Sequence, residues 1–256
     1  MIIDAHVHIH PDPKWFGESY DASLDTLIDL LGKSPVDKAV LLPIYPTVPN
    51  AFIAEACRKY PDRLIGFASA DPLGGRKSIE QFEQDVFKYN LKGLKLHPRL
   101  QNFSLDDPDI IPLFQKAADL ALPIVVDAFP QGVNRERFSP MLLERIAAAV
   151  PRAKIIMAHF GAYKLWDALF LAKANPNIFV DIACTIHYFR GSSLEKDLGF
   201  AIKKLGSDRC IYGSDHPEVK VDEAFNAALE VLNQYQLSSV DMENILGGTL
   251  SSLISL

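Results

Sequence analysis

The sequence lacks several features that would assign it to a class of protein. Its three cysteines are odd in number and widely spaced, so we predict free thiols in a reducing compartment and no disulfide framework. There is no block of lysine and arginine, and the net charge of −6 gives no support for binding to nucleic acid or to an anionic membrane. No apolar run approaches the length of a membrane span, and no secretory signal is visible. We therefore expect a cytoplasmic protein.

Some catalytic motifs are also missing. No glycine-rich dinucleotide-binding turn follows the first predicted strand, and no glycine-rich phosphate cradle follows the last two. The segment Gly213-Ser214-Asp215 does not have the pattern of a nucleophile elbow. The chemistry is therefore expected to rest on other side chains.

The most informative segment is Asp4-Ala-His6-Val-His8, which ends the first predicted strand. Side chains alternate between the two faces of a strand, so we expect Asp4, His6 and His8 to share one face. Two histidines spaced in this way can bind one divalent ion at about 2.0–2.1 Å. The alternative is a pair of hydrogen-bonded core histidines beside Asp4. A metal-binding or catalytic role is favoured if other ligands lie nearby.

Eight short apolar runs alternate with helical patterns along the whole chain, and no linker interrupts them. The predicted strands begin near residues 2, 38, 64, 91, 123, 154, 177 and 209. This order predicts an α/β fold, a single (β/α)₈ TIM barrel domain over residues 1–256. A last helical segment at 241–256 is expected to pack outside the ring. A doubly wound open sheet is the competing fold, but it would normally carry the missing glycine-rich turn.

Histidines cluster at one end of the predicted barrel, where barrel enzymes place their chemistry. All seven follow the carboxyl ends of predicted strands: His6, His8, His10, His97, His159, His187 and His216. Asp215 ends the eighth strand. It either caps the next turn or ligates an ion and accepts a proton from its bound water, whose pKa a divalent ion lowers to about 7.

Five motifs occur in an order that resembles a known family. They are Asp4-x-His6-x-His8, Gly93-Leu-Lys95-Leu-His97-Pro98, Ala158-His159-Phe-Gly161, Gly213-Ser-Asp215-His-Pro217 and Glu243-Asn-Ile-Leu-Gly-Gly248. From residue 2 to about 250 the chain resembles the amidohydrolase superfamily, in its amidohydrolase-related branch. That branch includes amino-carboxymuconate-semialdehyde decarboxylase and several lactone hydrolases.

The resemblance implies a distorted barrel that holds one divalent metal ion, commonly zinc. His6, His8 and Asp215 would be ligands of this ion. His159 would act as a catalytic acid or base, and Asp215 would share in the proton transfers.

The fifth strand departs from the family pattern. Asp127 stands where family members usually carry a metal-binding histidine. A carboxylate can replace imidazole on zinc, and it would shift the preference of the site towards Mn²⁺ or Mg²⁺. Alternatively, Asp127 orients a ligating imidazole. The sequence does not decide between these roles, and it leaves weak metal binding open.

Polar groups around the predicted mouth suit a small anionic substrate. The candidate substrate-binding residues are Lys95, His97, Arg99, His187 and His216. Each of the charged residues is equally well explained as an ordinary solvated loop residue. For Lys95, a carbamylated side chain that bridges two metal ions is a less favoured alternative to binding substrate. Aromatic residues on the same side would wall a pocket or pack in the core: Trp15, Phe16, Tyr45, Phe103 and Phe129.

The sequence therefore predicts a metal-dependent hydrolase in which activated water attacks a small, carboxylate-bearing ester, lactone or amide. A lyase that removes CO₂ from an aromatic or muconate-type acid uses the same ligands and is the main alternative. A barrel that binds small molecules without catalysis is a third hypothesis. Whether the chain forms a homo-oligomer is left open.

Overall fold

The computed structural model describes residues 1–14 and 20–256. Parallel strands form a closed ring with helices outside it, which confirms the predicted (β/α)₈ barrel. In chain order the strands are Ile3–Val7, Lys38–Leu41, Leu64–Gly66 continued by Ala68–Ser69, Leu94–Leu96, Ile124–Val126, Ile155–Met157, Ile178–Asp181 and Cys210–Ile211. The third strand pairs with the second through its first segment and with the fourth through its second segment.

The ring closes between the last strand and the first. The backbone N–H of Ala5 donates to Tyr212 O at 3.0 Å, and that of Asp215 donates to His6 O at 2.8 Å. Farther along the same seam, His8 N–H donates to His216 O at 2.7 Å. These bonds hold the first strand and the residues after the eighth strand side by side.

In the described part of the chain, eight helices cover the outside of the ring, one after each strand. They are Leu24–Lys33, Asn50–Lys59, Gly75–Tyr89, Ile111–Asp119, Leu143–Ala149, Leu165–Ala174, Ser193–Leu205 and Val221–Gln234. Each buries an apolar face against the outward side chains of the strands in one continuous core. Ser23 and Ser192 cap their helices with side-chain oxygens, as their position before an apolar run predicts. A short helix, Thr185–Tyr188, was not predicted.

The third helix begins earlier than the sequence suggests. Ser78 followed by Gln81 three residues later is the sequence pattern of a capping box, but the helix starts at Gly75, and Ser78 lies inside it. The Ser78 hydroxyl instead donates to Asp71 O at 2.8 Å, so a bond to the preceding loop replaces the cap. None of the helices in the described part of the chain is long and apolar enough to cross a membrane.

The inside of the barrel is apolar at its amino-terminal end. Inward side chains such as Ile3, Ala5 and Phe67 form a cluster separate from the outer core. The extra C-terminal helix, Thr249–Ile254, is present as predicted, but it does not pack outside the ring. Its residues Leu250, Leu253 and Ile254 join the inner cluster and close the floor of the barrel. Polar groups are thereby confined to the opposite end.

Candidate active site

Buried polar side chains collect at the carboxyl ends of six strands. They are His6, His8, Lys95, His97, Asp127, His159, Asp181 and Asp215, each at most 8% exposed. Ordinary cores do not gather so many ionisable groups, because burial without partners is costly. Their arrangement therefore indicates a functional site.

An irregularity in the first strand aims its histidines inward. The pairing register shifts between Asp4 and Val7, so Ile3 and Ala5 belong to the inner cluster while Val7 belongs to the outer core. His6 and His8 consequently enter the barrel, as predicted. The expectation that Asp4 shares a face with these histidines is wrong, because the bulge interrupts the alternation of side chains along the strand. Asp4 instead accepts the backbone N–H of Ser214 at 2.8 Å.

The two histidines present nitrogen lone pairs to each other. His8 Nδ1 lies 2.7 Å from Leu42 O, which only accepts, so a neutral His8 ring carries its proton on Nδ1. His6 Nδ1 lies 2.9 Å from Asp181 Oδ2 in the same way. The two Nε2 atoms, both unprotonated, are 3.2 Å apart. Burial first, and then the charge of Lys95, lowers the pKa of both rings, which disfavours a shared proton.

This donor set fits a divalent metal ion. Two nitrogen ligands of one tetrahedral zinc ion lie roughly 3.3 Å apart, which matches the spacing of the two Nε2 atoms. Asp215 Oδ1 lies 3.5 Å from His6 Nε2 and 3.8 Å from His8 Nε2. A ligand atom of His159 also lies within 4.8 Å of those of His6 and Asp215. The structure thus brings together three of the four predicted ligands, His6, His8 and Asp215.

The side chain of Lys95 also reaches the Nε2 atom of His6. Its side chain is 1% exposed, and its Nζ lies 3.0 Å from His6 Nε2. The ammonium therefore donates to a lone pair that a metal ion would use. Because two cations repel each other, an ion at His6 Nε2 requires Lys95 to turn away or to lose a proton.

Asp181 organises the site, and the sequence interpretation missed it. Its Oδ2 accepts from His6 Nδ1, and its Oδ1 accepts the backbone N–H of His159 at 2.8 Å and of Ala183 at 3.1 Å. Burial raises the pKa of Asp181, but its electrostatic interaction and hydrogen bond with His6, together with those with His159, outweigh burial and lower the pKa to about 2. Its position at the end of the seventh strand was the feature of the sequence that could have identified it as a site residue.

His159 sits in an unusual backbone segment. It begins a run of left-handed residues, with φ of 59° at His159, 45° at Phe160, 68° at Gly161 and 53° at Ala162. Each such non-glycine residue costs about 1–3 kcal/mol, and strain of this kind concentrates at functional sites. At Gly161 a Cβ would also approach Ala168 Cβ to 2.7 Å. The segment is held by Asp181 and by Thr185 Oγ1, which donates to His159 O at 2.7 Å.

The ring of His159 faces two acceptors. Nδ1 lies 2.9 Å from Ala183 O, and Nε2 lies 3.1 Å from Asp127 Oδ2. Burial lowers the pKa of His159, but the charges of Asp215, Asp127 and Asp181 outweigh it and raise the pKa to about 10. Because both of its ring nitrogens face acceptors, the geometry favours the doubly protonated form of His159.

Asp127 contacts histidines that lie away from the first strand. Besides His159 Nε2, its Oδ2 lies 3.7 Å from His97 Nε2. Burial raises the pKa of Asp127, but His97, His159 and Lys95 outweigh burial and hold the pKa well below its usual value. Of the two roles left open by the sequence, this geometry favours the one in which Asp127 orients an imidazole.

A cavity of about 430 Å³ opens above these groups. It is lined by His6, His8, Tyr20, His97, Arg99, Leu100, Asp127, Phe129, Gln131, His159, Cys184, Tyr188, Asp215 and Glu218. Within the described ranges, the buried Nε of Arg99 has no hydrogen-bond partner. Phe129 stands edge-on to His159 at 5.8 Å and to Tyr188 at 5.5 Å between ring centroids. The cavity thus offers a cation and an aromatic wall beside a proton donor.

Several predicted site residues lie outside the lining. His187 is exposed, and His216 is buried, with neither ring nitrogen hydrogen-bonded within residues 1–14 and 20–256. Of the aromatic residues, Phe129 lines the cavity and Phe103 is buried in the core. Tyr45 lines a separate groove. Trp15 and Phe16 lie outside the described residues.

Comparison with known proteins agrees with this architecture. A curated relative, 2-amino-3-carboxymuconate-6-semialdehyde decarboxylase of Dictyostelium discoideum, is 22% identical over 236 residues, covering 81% of this chain. The chain spans 65% of the length of that relative. A TIM-barrel protein of Bordetella bronchiseptica superimposes with a TM-score of 0.81 at 16% identity, covering 99% of this chain and 98% of that one.

A second solved structure is a dihydroxybenzoic acid decarboxylase of Polaromonas with bound manganese and the inhibitor 2-nitroresorcinol. It has a TM-score of 0.76 at 16% identity and covers 100% of this chain and 97% of that one. At these identities the two solved structures establish the fold. The sequence also matches the amidohydrolase family over residues 3–249. Because this match spans nearly the whole chain, the protein belongs to the amidohydrolase family.

Proposed function

We propose that the protein is a metal-dependent decarboxylase that releases CO₂ from a small aromatic or muconate-type acid. The similarity to two decarboxylases supports this reaction over hydrolysis, which the sequence alone favoured. The observation that carries the proposal is the hydrogen bonding of the His159 ring. Both of its ring nitrogens face acceptors, so it has a proton to give and no lone pair with which to take one.

Decarboxylation needs such a donor. The carbon that loses CO₂ must gain a proton, whereas hydrolysis needs a base that accepts a proton from water. Asp127 holds the His159 proton at the cavity wall and compensates its charge. The pair is therefore set up for general acid catalysis.

The residues proposed to hold the metal ion are His6, His8 and Asp215, and zinc and manganese are the candidate ions. When bound, a divalent ion there withdraws electron density from substrate oxygens and neutralises their charge. Asp181 and Leu42 fix the two imidazoles through their Nδ1 protons, so that both Nε2 lone pairs face inward.

The proposed reaction uses the cavity groups in sequence. Arg99 binds and orients an anionic group of the substrate, and Phe129 and Tyr188 flank its unsaturated system. His159 donates a proton to the carbon that bears the carboxylate. The bond to the carboxyl carbon then breaks, its electron pair restores the unsaturated system, and CO₂ leaves. His159 recovers its proton from water.

A hydrolase acting on a small ester, lactone or amide is the second candidate. One observation favours it: the Asp215 carboxylate lines the cavity beside both Nε2 atoms, where a general base for water would stand. In that reaction His159 would protonate the leaving group.

The test measures both reactions on the same preparations. Protein loaded with zinc or with manganese is assayed for CO₂ release from a panel of aromatic and muconate-type acids, and in a pH-stat with esters and lactones. We expect CO₂ release, reduced about 10²–10⁴-fold in His159→Gln by loss of the proton donor. His187→Gln, an exposed histidine outside the cavity, is the matched control and should keep wild-type activity. Acid release in the pH-stat without CO₂ would establish the hydrolase instead.

A further inference from the structure

The third and fourth strands part at the mouth of the barrel. The last pair in their parallel ladder is Ser69 with Lys95. In this register the next ladder bond would run from the backbone N–H of His97 to the carbonyl oxygen of Ala70. Instead, both of these backbone groups bond to the side chain of Gln101. The ladder is therefore interrupted where the two strands reach the cavity.

The amide of Gln101 takes the place of that ladder bond. Its Oε1 accepts the backbone N–H of His97 at 2.7 Å, and its Nε2 donates to Ala70 O at 2.8 Å. A backbone N–H only donates and a carbonyl only accepts, so these two partners fix the orientation of the amide. The side chain thus satisfies both backbone groups and spaces the two strands by the width of an amide.

Gln101 also closes the turn that enters the cavity. Its own backbone N–H donates to His97 O at 2.9 Å, so Gln101 bonds both backbone groups of His97. Arg99 and Leu100 lie within this turn, and both line the cavity. The turn is consequently tied at its base to the fourth strand, and through Ala70 to the third.

The cation on this turn depends on the backbone for its position. Arg99 is half-buried, and its Nε has no hydrogen-bond partner within residues 1–14 and 20–256. An arginine side chain has many rotamers, and ordering it costs about 1.5–2 kcal/mol. Since no bond from Nε fixes this side chain, the turn that carries it decides where the guanidinium can reach.

We propose that Gln101 is a positioning residue for anion binding, because its amide spaces the third and fourth strands and so places Arg99 at the cavity wall. This inference rests on the proposed role of Arg99 in binding an anionic group of the substrate. Gln101 is not among the residues that line the cavity, so it acts through the turn and not by touching the substrate. The role is the same whether CO₂ release or hydrolysis follows.

Asn50 provides a matched control. Its Oδ1 accepts the backbone N–H of Ser69 at 2.8 Å, and its Nδ2 donates to Ser69 O at 3.0 Å and to Asp85 Oδ2 at 2.8 Å. This amide therefore also fixes the end of the third strand. It lines a separate groove, however, and makes none of these bonds to the turn that carries Arg99. Removing either amide leaves a backbone N–H and a carbonyl without that partner, so both changes should destabilise the protein.

The experiment measures benzoate binding to zinc-loaded protein by calorimetry. Gln101→Met and Asn50→Leu each remove an amide at nearly constant side-chain volume. Gln101→Met should weaken benzoate binding about 10-fold, because a misplaced guanidinium loses part of its charged hydrogen bonding, and Asn50→Leu should change it by less than about twofold. Wild-type affinity in Gln101→Met would overturn the proposal. Equal losses in the two variants would do so too, since they would indicate a general effect on structure.

A double-mutant cycle tests whether Gln101 acts through Arg99. When Arg99 is already replaced by glutamine, Gln101→Met should change benzoate affinity by less than about twofold, because coupled positions are not additive. Additive losses would overturn the proposal. If Arg99→Gln alone binds benzoate as tightly as wild type, the anion-binding role of Arg99 itself is refuted, and with it the need to position that residue. The two failures are therefore distinguishable.

A second variant covers the case in which Gln101→Met folds poorly. Zinc affinity reports on the barrel, because His6, His8 and Asp215 lie at the seam between the first strand and the last, and it should be unchanged in Gln101→Met. If it is lost, Gln101→Asn replaces that variant. Asparagine keeps the amide but is one methylene shorter, so it cannot keep both bonds at their present lengths. Gln101→Asn should also weaken benzoate binding, and wild-type affinity in it would overturn the proposal.

Discussion

Replacing Asp181 by asparagine tests whether this carboxylate sets the metal-binding state of His6. The carboxylate accepts three N–H groups, one on Oδ2 from His6 and two on Oδ1 from the backbone of His159 and Ala183. An asparagine has only one acceptor oxygen. If that oxygen keeps the backbone bonds, the amide NH₂ faces His6 Nδ1. The ring must then move its proton to Nε2, where the lone pair for a metal ion had been.

The size of the effect follows from the site. Loss of a partner that orients a ligating histidine lowers metal affinity about 10–100-fold. The pKa of Asp181, lowered from 3.8 to about 2, corresponds to about 2 kcal/mol of stability in the charged form. Because the pKa is lowered in the folded state, this contribution is present above about pH 4 and is lost as the pH falls towards 2. Asp181→Asn should therefore reduce the free energy of unfolding by about 2 kcal/mol at neutral pH.

The assay is zinc affinity by competition with a chromophoric chelator, together with urea unfolding of metal-free protein. Asp4→Asn is the matched control. Asp4 is also fully buried and accepts backbone N–H groups, but it touches neither ring nitrogen of His6. It should leave zinc affinity within about threefold of wild type. The reasoning fails if Asp181→Asn binds zinc as tightly as wild type, or if Asp4→Asn weakens binding to the same extent.

Three further predictions concern the cavity and the packing of the barrel. Arg99→Gln should weaken the binding of benzoate about 10–100-fold, because a hydrogen bond to a charged group contributes about 1.5–3 kcal/mol. Calorimetry measures this affinity. Arg190→Gln removes an exposed arginine that pairs with an acidic residue outside the cavity, and it should leave benzoate affinity unchanged. Gly93→Ala should lower the free energy of unfolding by about 1–3 kcal/mol, since its Cβ would lie 2.2 Å from the Phe67 ring. Gly32→Ala, with nothing within 4 Å of its Cβ in a helix, should raise it by about 0.8–1 kcal/mol. Urea unfolding checks both, and equal effects at the two glycines would contradict the packing argument.

The barrel was predictable because its signals are local. Short apolar runs and intervening helical patterns recur through the chain, and a parallel arrangement follows from their alternation. His6, His8, His159 and Asp215 were predicted because each ends a strand, and the ends of parallel strands meet at one rim.

The remaining features depend on contacts that the sequence does not display. The first strand contains no glycine or proline that would indicate a bulge, so the sequence predicts a simple alternation of side chains between its two faces. Asp181 looks like any strand-end acid until the ring closes and brings His6 and His159 to its two oxygens. His187 and His216 follow strands as the others do, but His187 lies on the short helix Thr185–Tyr188, and neither residue lines the cavity.

The seam of the barrel has a consequence for the biosynthesis of the protein. The hydrogen bond from Ser214 to Asp4 joins residues that are 210 positions apart, and the donor atoms of His6, His8 and Asp215 meet along the same line. A nascent chain still short of Asp215 has no complete site, whatever else has folded on the ribosome. Uptake of an ion by these donors would thus be a late event in maturation. The ion would bind after the barrel has closed and would not direct the folding of the barrel.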